Sequence, residues 1–316
     1  MRAARRRLMA LAPLALGAEA AASSSEHAAR IPALPECALE MLRNCSFDRF
    51  QPSQHAAPAL PVDHAYVIHY TANVHRRAHQ MRQLPKLGIR FSFVTGYDRD
   101  YIDRRNRACV LTSSPRLDLD LGGNKKLDMH KANPAYISQV IKLYAALYDM
   151  LASGHSSALI LEDDAVIRGE GLPMLATAMK SLHGNYTIIY SGSYSPDGKD
   201  DLPYSLYPKD ASHIPSYRGP GRMMPAVGCI LSAAGAAHVL RWGLPIRAPV
   251  DMTLSDSRVK AAPRHRAFVF KPYAFTPAAF GNSSSSFGGE GIPSDVRPPP
   301  PPRALFSQSV VAWLTG

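Results

Sequence analysis

The sequence predicts an α/β domain: a Rossmann-like, mainly parallel sheet with helices on both faces. Two observations carry that expectation. Apolar runs of strand type alternate with segments of helical period, and the first strand, helix, strand succession fits the roughly thirty residues of a parallel βαβ unit. The chain of 316 residues is 46% hydrophobic and 19% charged, which is ordinary globular composition with enough apolar mass for a sizeable core.

The elements follow in order. HAYVIHY (64–70) is the first strand run, VHRRAHQMRQLPKLG is helical up to Pro85 and Gly88, and RFSFVTG (90–96) is the second strand. NPAYISQVIKLYAALYDMLASG is the clearest helix. Asn133 can cap it, Pro134 fits its first turn, Gly154 ends it, and Ile137, Val140, Ile141, Tyr144, Leu147, Tyr148 and Leu151 recur at i, i+3, i+4 spacing. The strand SSALILEDD comes next, then a helix over 172–183, the strand YTIIYSG (186–192) and a long loop to about 225. AVGCILS as strand, Ala233 to Trp242 as helix and AFVFK (267–271) as strand complete the body.

The strand ALIL runs straight into Glu162, Asp163 and Asp164. Ligands of open α/β sheets bind beyond the carboxyl ends of the strands, so the three acids are expected at a crevice. On an extended backbone Glu162 and Asp164 point the same way and Asp163 the other. Two same-facing carboxylates supply hard oxygen ligands for Mn²⁺ or Mg²⁺, with water and a substrate phosphate completing the shell. The alternative is an acidic loop answered by lysines.

The formal charge is +11, and Arg2, Arg5, Arg6 and Arg7 contribute part of it. The remainder suits an anionic ligand. No zinc-finger spacing, RNA-binding aromatic signature or lysine-rich helix is present, which argues against nucleic acid as a partner. Residues 1–22 combine a basic start with an apolar stretch from Leu8 to Ala18, the pattern of a secretory signal. The reading is a lumenal or secreted protein, with an organelle transit peptide as second choice and membrane association only through the N-terminus. Residues 23–60 read as stem or linker, 61–290 as the folded body and 291–316 as a Pro-rich tail. Four cysteines (Cys37, Cys45, Cys109, Cys229) and sequons at Asn44, Asn185 and Asn282 agree with a lumenal address and a glycoprotein. Cys37 and Cys45 are the expected disulfide pair, pinning the N-terminal segment, whereas Cys109 and Cys229 read as a disulfide or buried thiols. His64, His69, His75 and His79 straddle a strand and a helix without metal spacing and read as core or surface histidines. Gly122 and Gly123 mark a turn, and no phosphate-binding glycine motif is present.

YVIHYTANVHRRAHQM (66–81), GIRFSFVTGYD (88–98), ALILEDDAVI and YTIIYSGS (186–193) stand in order, followed by VGCILSAAGAAHVL, LPIRAPVDMTL and FTPAAFGNSSSS. Taken together, this series resembles glycosyltransferase family 25, the group of the lipopolysaccharide and procollagen galactosyltransferases. The resemblance implies a GT-A-like fold and a divalent metal, Mn²⁺ or Mg²⁺. It also implies inverting transfer of a hexose, galactose or glucose, from a UDP-sugar to a glycan, lipid-linked or protein acceptor. By position, Glu162 and Asp164 take the two acidic places of the metal motif, with Asp164 the direct ligand and Asp163 close by. Arg76 and Arg77 fall where the first βα unit meets the donor, or else on a solvated helix face. Lys142 is a candidate for a donor phosphate or an exposed lysine, and Asp251 matches an acidic position on the acceptor side, where it would orient a hydroxyl or act as base. The chain departs from the family at His69, Tyr70, Thr71 and Ala72, where an Asn-Leu-Asp-Arg type sequence is usual. The second reading is therefore a GT-A-fold relative that binds glycans or a protein without catalysis.

Overall fold

A computed structural model describes residues 31–52, 57–111, 134–192, 205–208, 227–246, 250–255, 266–271 and 273–278. The expected signal segment, the Pro-rich tail, Asn282, the turn at Gly122 and Gly123 and most of the long loop that follows YTIIYSG lie outside them. In chain order the helices are α1 (Glu36–Arg43), α2 (Val74–Gln83), α3 (Arg104–Val110), α4 (Pro134–Ala152), α5 (Gly171–Ser181), α6 (Ala233–Gly243) and α7 (Val250–Ser255). The strands are β1 (Phe47–Phe50), β2 (His64–Ile68), β3 (Arg90–Val94), β4 (Ser157–Glu162), β5 (Ala165–Ile167), β6 (Ile188–Tyr190), β7 (Ser205–Pro208), β8 (Gly228–Ser232), β9 (Ala267–Lys271) and β10 (Phe275–Pro277).

Eight described strands form one sheet in the order β1-β3-β2-β4-β8-β6-β9-β7, and β10 pairs with β5 separately. β2 pairs in parallel with both β3 and β4, which makes the expected βαβ unit. The sheet is mixed rather than mainly parallel: β8 runs antiparallel to both β4 and β6, and the outer strands β1 and β7 are antiparallel to β3 and β9. A strand buried on both faces carries no alternation to betray its direction, so GCILS reads the same either way.

Alternate residues of each strand feed two cores. Tyr66, Ile68, Ala158, Ile160, Cys229 and Leu231 face one side, where α1, α4, α6 and α7 pack. Ala65, Val67, Phe91, Phe93, Leu159 and Leu161 face the other, covered by Leu84, Leu87, Leu172, Leu175 and Met179. Helices therefore flank both faces, as expected. Hydrogen bonds fix the α4 side: the Tyr144 hydroxyl donates to the Gly243 carbonyl (2.8 Å), tying α4 to α6, and the Tyr190 hydroxyl to that of Leu254 (2.7 Å), tying β6 to α7. Gly235, in the first turn of α6, lies so close to the Thr187 carbonyl that a Cβ would stand 2.1 Å from its oxygen, and the bare backbone lets α6 seat on the sheet.

The segment expected as stem contributes to the body. β1 adds an edge strand to β3 and carries Arg49, whose guanidinium forms two hydrogen bonds (3.2 and 2.7 Å) with the Asp149 carboxylate on α4. The Tyr66 hydroxyl donates to the same carboxylate at 2.7 Å. Ala38, Met41 and Leu42 of α1 are buried against the α4 side. α1 and β1 are short and sit in a Pro- and Ala-rich context, which hides them in the sequence. Among the described residues no helix is long and apolar enough to cross a membrane.

Candidate functional site

The strand order places β3 on one side of β2 and β4 on the other, so the chain reverses its winding between β2 and β4. The carboxyl ends of those two strands mark the switch point where an open α/β sheet has a crevice. From β2 the chain runs into His69, Tyr70 and Thr71; from β4 it runs into Glu162, Asp163 and Asp164.

β4 ends at Glu162, and Asp163 and Asp164 form the turn into β5. Strand alternation therefore stops before the last two acids, and Asp163 does not face away from Asp164 as expected. Asp163 and Asp164 instead share one guanidinium: Nη1 of Arg76 lies 2.7 Å from Oδ1 of Asp163 and 3.3 Å from Oδ2 of Asp164. Oδ2 of Asp163 also meets Nδ1 of His69 at 2.9 Å. Glu162 is half-buried, and its backbone N–H donates to the Val227 carbonyl at 3.2 Å.

The turn itself is held from three sides. The buried Gln80 of α2 donates through Nε2 to the carbonyls of Asp163 (3.0 Å) and Ala165 (2.8 Å). The Ala278 N–H, just past β10, donates to the Asp164 carbonyl at 2.7 Å. Gly228, paired with Leu161 beside the turn, has no side chain because the Phe275 ring fills that space; a Cβ would lie 2.8 Å from it.

The two aspartates differ electrically. Burial disfavours the Asp163 carboxylate, but the His69 hydrogen bond and the Arg76 charge outweigh it and hold its pKa below the usual value. Burial pushes Asp164 up to about 6 against the pull of Arg76, and the adjacent Asp163 charge adds to the rise. Oδ1 of Asp164 is buried with no hydrogen-bond partner, as is Nε2 of His69. Such orphaned polar atoms are uncommon in folded proteins and mark a place where an additional partner would be favourable.

Lys142, expected on an exposed helix face or at a donor phosphate, is buried. Its ammonium pairs with Asp98, after β3, and donates to the His69 carbonyl. Burial lowers its pKa, opposed by Asp98. Asp98 also accepts from the Thr71 N–H at 3.1 Å, so the β2 exit loop is clamped by α4 and the β3 exit together. In this arrangement Lys142 serves the loop rather than presenting a charge to a ligand. Arg77 likewise has partners away from the acids: Asp48 at 2.6 Å and the face of Phe93, 4.6 Å from its guanidinium. Asp251 falls in the first turn of α7, and its side chain lies outside the described part of the structure.

The structure thus brings together Asp163, Asp164 and Arg76 from the sequence candidates and adds His69, Gln80 and Asp98. Two of these additions had a signal: His69 stands at the departure from the family sequence, and Asp98 is the acid following a predicted strand. Among the described residues no group of three or more His, Cys, Asp or Glu side chains is arranged to hold a metal ion. No protein-family model matches the chain, and no curated protein matches it.

Proposed function

We propose that the chain is an inverting, metal-dependent glycosyltransferase of GT-A type, similar to family 25, that moves galactose or glucose from a UDP-sugar to a glycan, lipid-linked or protein acceptor. The observation that carries this reading is the acidic turn at the β2/β4 switch point, with a buried Asp164 oxygen that lacks a partner. Support also comes from the ordered sequence blocks around that turn. A hard cation fits an orphaned carboxylate oxygen beside a half-exposed glutamate, so Asp164 and Glu162 would hold Mn²⁺ or Mg²⁺, which supplies charge neutralisation for a leaving diphosphate.

Around it the chain's own groups have distinct tasks. Arg76 holds Asp163 and Asp164 in place and keeps two adjacent carboxylates compatible with burial. Gln80 and the Ala278 N–H fix the backbone of the turn, so the carboxylates need little reorganisation when charge arrives. In the transfer the acceptor hydroxyl attacks the anomeric carbon, the bond to the UDP oxygen breaks, and a carboxylate takes the hydroxyl proton. Asp251 is the candidate for that base.

A second reading is favoured by Arg76 itself: a standing counter-ion on the acids would suit a GT-A-fold relative that binds glycan or protein without metal chemistry. One experiment separates the two. A panel of UDP-sugars with Mn²⁺ is read by UDP release, with UDP binding followed by calorimetry. Release from UDP-galactose or UDP-glucose, reduced roughly 100-fold or more by Asp164→Ala, is the expected result. An unchanged rate in that variant overturns the metal assignment, and absence of both UDP binding and release with every sugar overturns the transferase reading in favour of the second.

A further inference from the structure

We infer that Cys37 and Cys109 are the disulfide-forming pair of this protein and that their bond fastens α1, and with it the N-terminal segment, to α3. The inference stands apart from the transferase reading. Cys37 is exposed near the start of α1, and its Sγ lies 3.8 Å from the carbonyl oxygen of Cys109 in α3. The partner sulfur belongs to the residue that the Cys37 thiol already touches. A hydrogen bond with Cys37 is the largest influence on the Cys109 thiol, which is raised to about 11, so the two side chains already sense one another.

The other two thiols are unsuited to pairing. Cys45 and Cys229 are buried in the core on the α4 side of the sheet. Cys45 is wedged against Gly96, where a Cβ would come 2.8 Å from its sulfur. The expected Cys37–Cys45 bridge is opposed by α1 itself: the two residues stand near opposite ends of a helix, eight positions apart in sequence. The six helical steps from Cys37 to Arg43 alone, at about 1.5 Å each, span roughly 9 Å, past the ~7 Å Cα separation a disulfide spans.

The chemistry requires an oxidant, here a disulfide RSSR such as oxidised glutathione or a disulfide-bearing oxidoreductase. The exposed Cys37, as thiolate, attacks one sulfur of RSSR; a Cys37–SR mixed disulfide forms and RSH leaves after protonation. Conversion of Cys37 removes the thiol that most raises the Cys109 pKa, and Cys109, losing its proton, then attacks the Cys37 sulfur. The second RSH leaves, two cysteines have been oxidised by two electrons, and one RSSR has been reduced to two RSH.

Trypsin separates the four cysteines, which makes the test direct. Cys37 falls in IPALPECALEMLR, Cys45 in NCSFDR and Cys109 in ACVLTSSPR. The full chain is equilibrated with oxidised and reduced glutathione, remaining thiols are alkylated, and the digest is read by mass spectrometry without reduction. The expected product is IPALPECALEMLR joined to ACVLTSSPR, two hydrogens lighter than the sum of the separate peptides, while Cys45 and Cys229 are alkylated on unfolding. In Cys109→Ser the Cys37 peptide is expected to carry glutathione instead. A bridge between IPALPECALEMLR and NCSFDR, or alkylated Cys37 and Cys109 in the wild type, overturns the inference.

Discussion

Nδ1 of His69 lies 2.9 Å from Oδ2 of Asp163, a bond that closes the gap between the exits of β2 and β4. Both side chains are almost fully buried, and Arg76 completes the carboxylate's shell on its other oxygen. Asp163→Ala would therefore take the carboxylate from a buried histidine and the nearer of two aspartates from Arg76. The expected cost is about 3–5 kcal/mol of folding stability, the range for breaking one side of a buried pair. Urea denaturation of Asp163→Ala and Asp163→Asn checks it, with Asn the milder of the two because it retains an acceptor oxygen.

Asp164 is expected to behave in the opposite sense. Its carboxyl is raised to about 6, so between the unfolded value near 4 and 6 the folded state binds more protons, and stability falls as pH rises through that window. At pH 7 the buried charge is a cost. Asp164→Asn should raise the stability of the metal-free protein at pH 7, by roughly 1–3 kcal/mol, while UDP release is lost. Thermal melting in chelator alongside the UDP-release assay reads both outcomes.

Lys142 and Asp98 form a pair whose side chains are 2% and 3% exposed. Lys142→Met alone should destabilise by about 3–5 kcal/mol, because it strands a buried carboxylate. Adding Asp98→Asn removes that charge while keeping an acceptor for the Thr71 N–H, and should recover much of the loss. A double-mutant cycle in urea gives the coupling directly.

Acid sensitivity is expected at the opposite end of β2. Burial, and then the neighbouring His155 with which it stacks at 5.3 Å, lower the His64 pKa to about 4. The nearby charges are Asp149, Arg49 and Arg90. Folded His64 stays neutral where the unfolded residue protonates, so its contribution is complete above about pH 6.5 and is lost as pH falls toward 4. The whole effect is at most about 3 kcal/mol. His64→Gln, which keeps a donor for Ser92, should flatten the change in urea midpoint between pH 7 and pH 4.5 relative to wild type.

The strands β2, β3, β4, β6, β8 and β9 were legible because their apolar runs are bounded by turn residues, and α4 because its period is unbroken over the whole span. Strand direction was not, since buried strands such as GCILS look alike in either sense. The acidic triplet stands at the strand end that its sequence predicts, but strand alternation does not govern its facing because β4 stops at Glu162 and Asp163 begins a turn. No periodicity announces that Arg76 reaches across from α2, that Lys142 is buried, or that His69 belongs with the acids, because those partners come from separate elements. β5 and β10 pair with each other outside the main sheet, and nothing in AVI or FTP announces that pairing.

β4 pairs with β2 on one side and β8 on the other, but β8 lies far downstream in the chain. As the protein is synthesised, the apolar edge of β4 emerges long before the strand that will cover it. At about 5–20 residues per second, several seconds separate them. During that time ALIL offers an open ladder to any other extended chain nearby. The middle of the finished sheet is thus the edge of the half-made one for as long as β5, α5, β6 and β7 are being made.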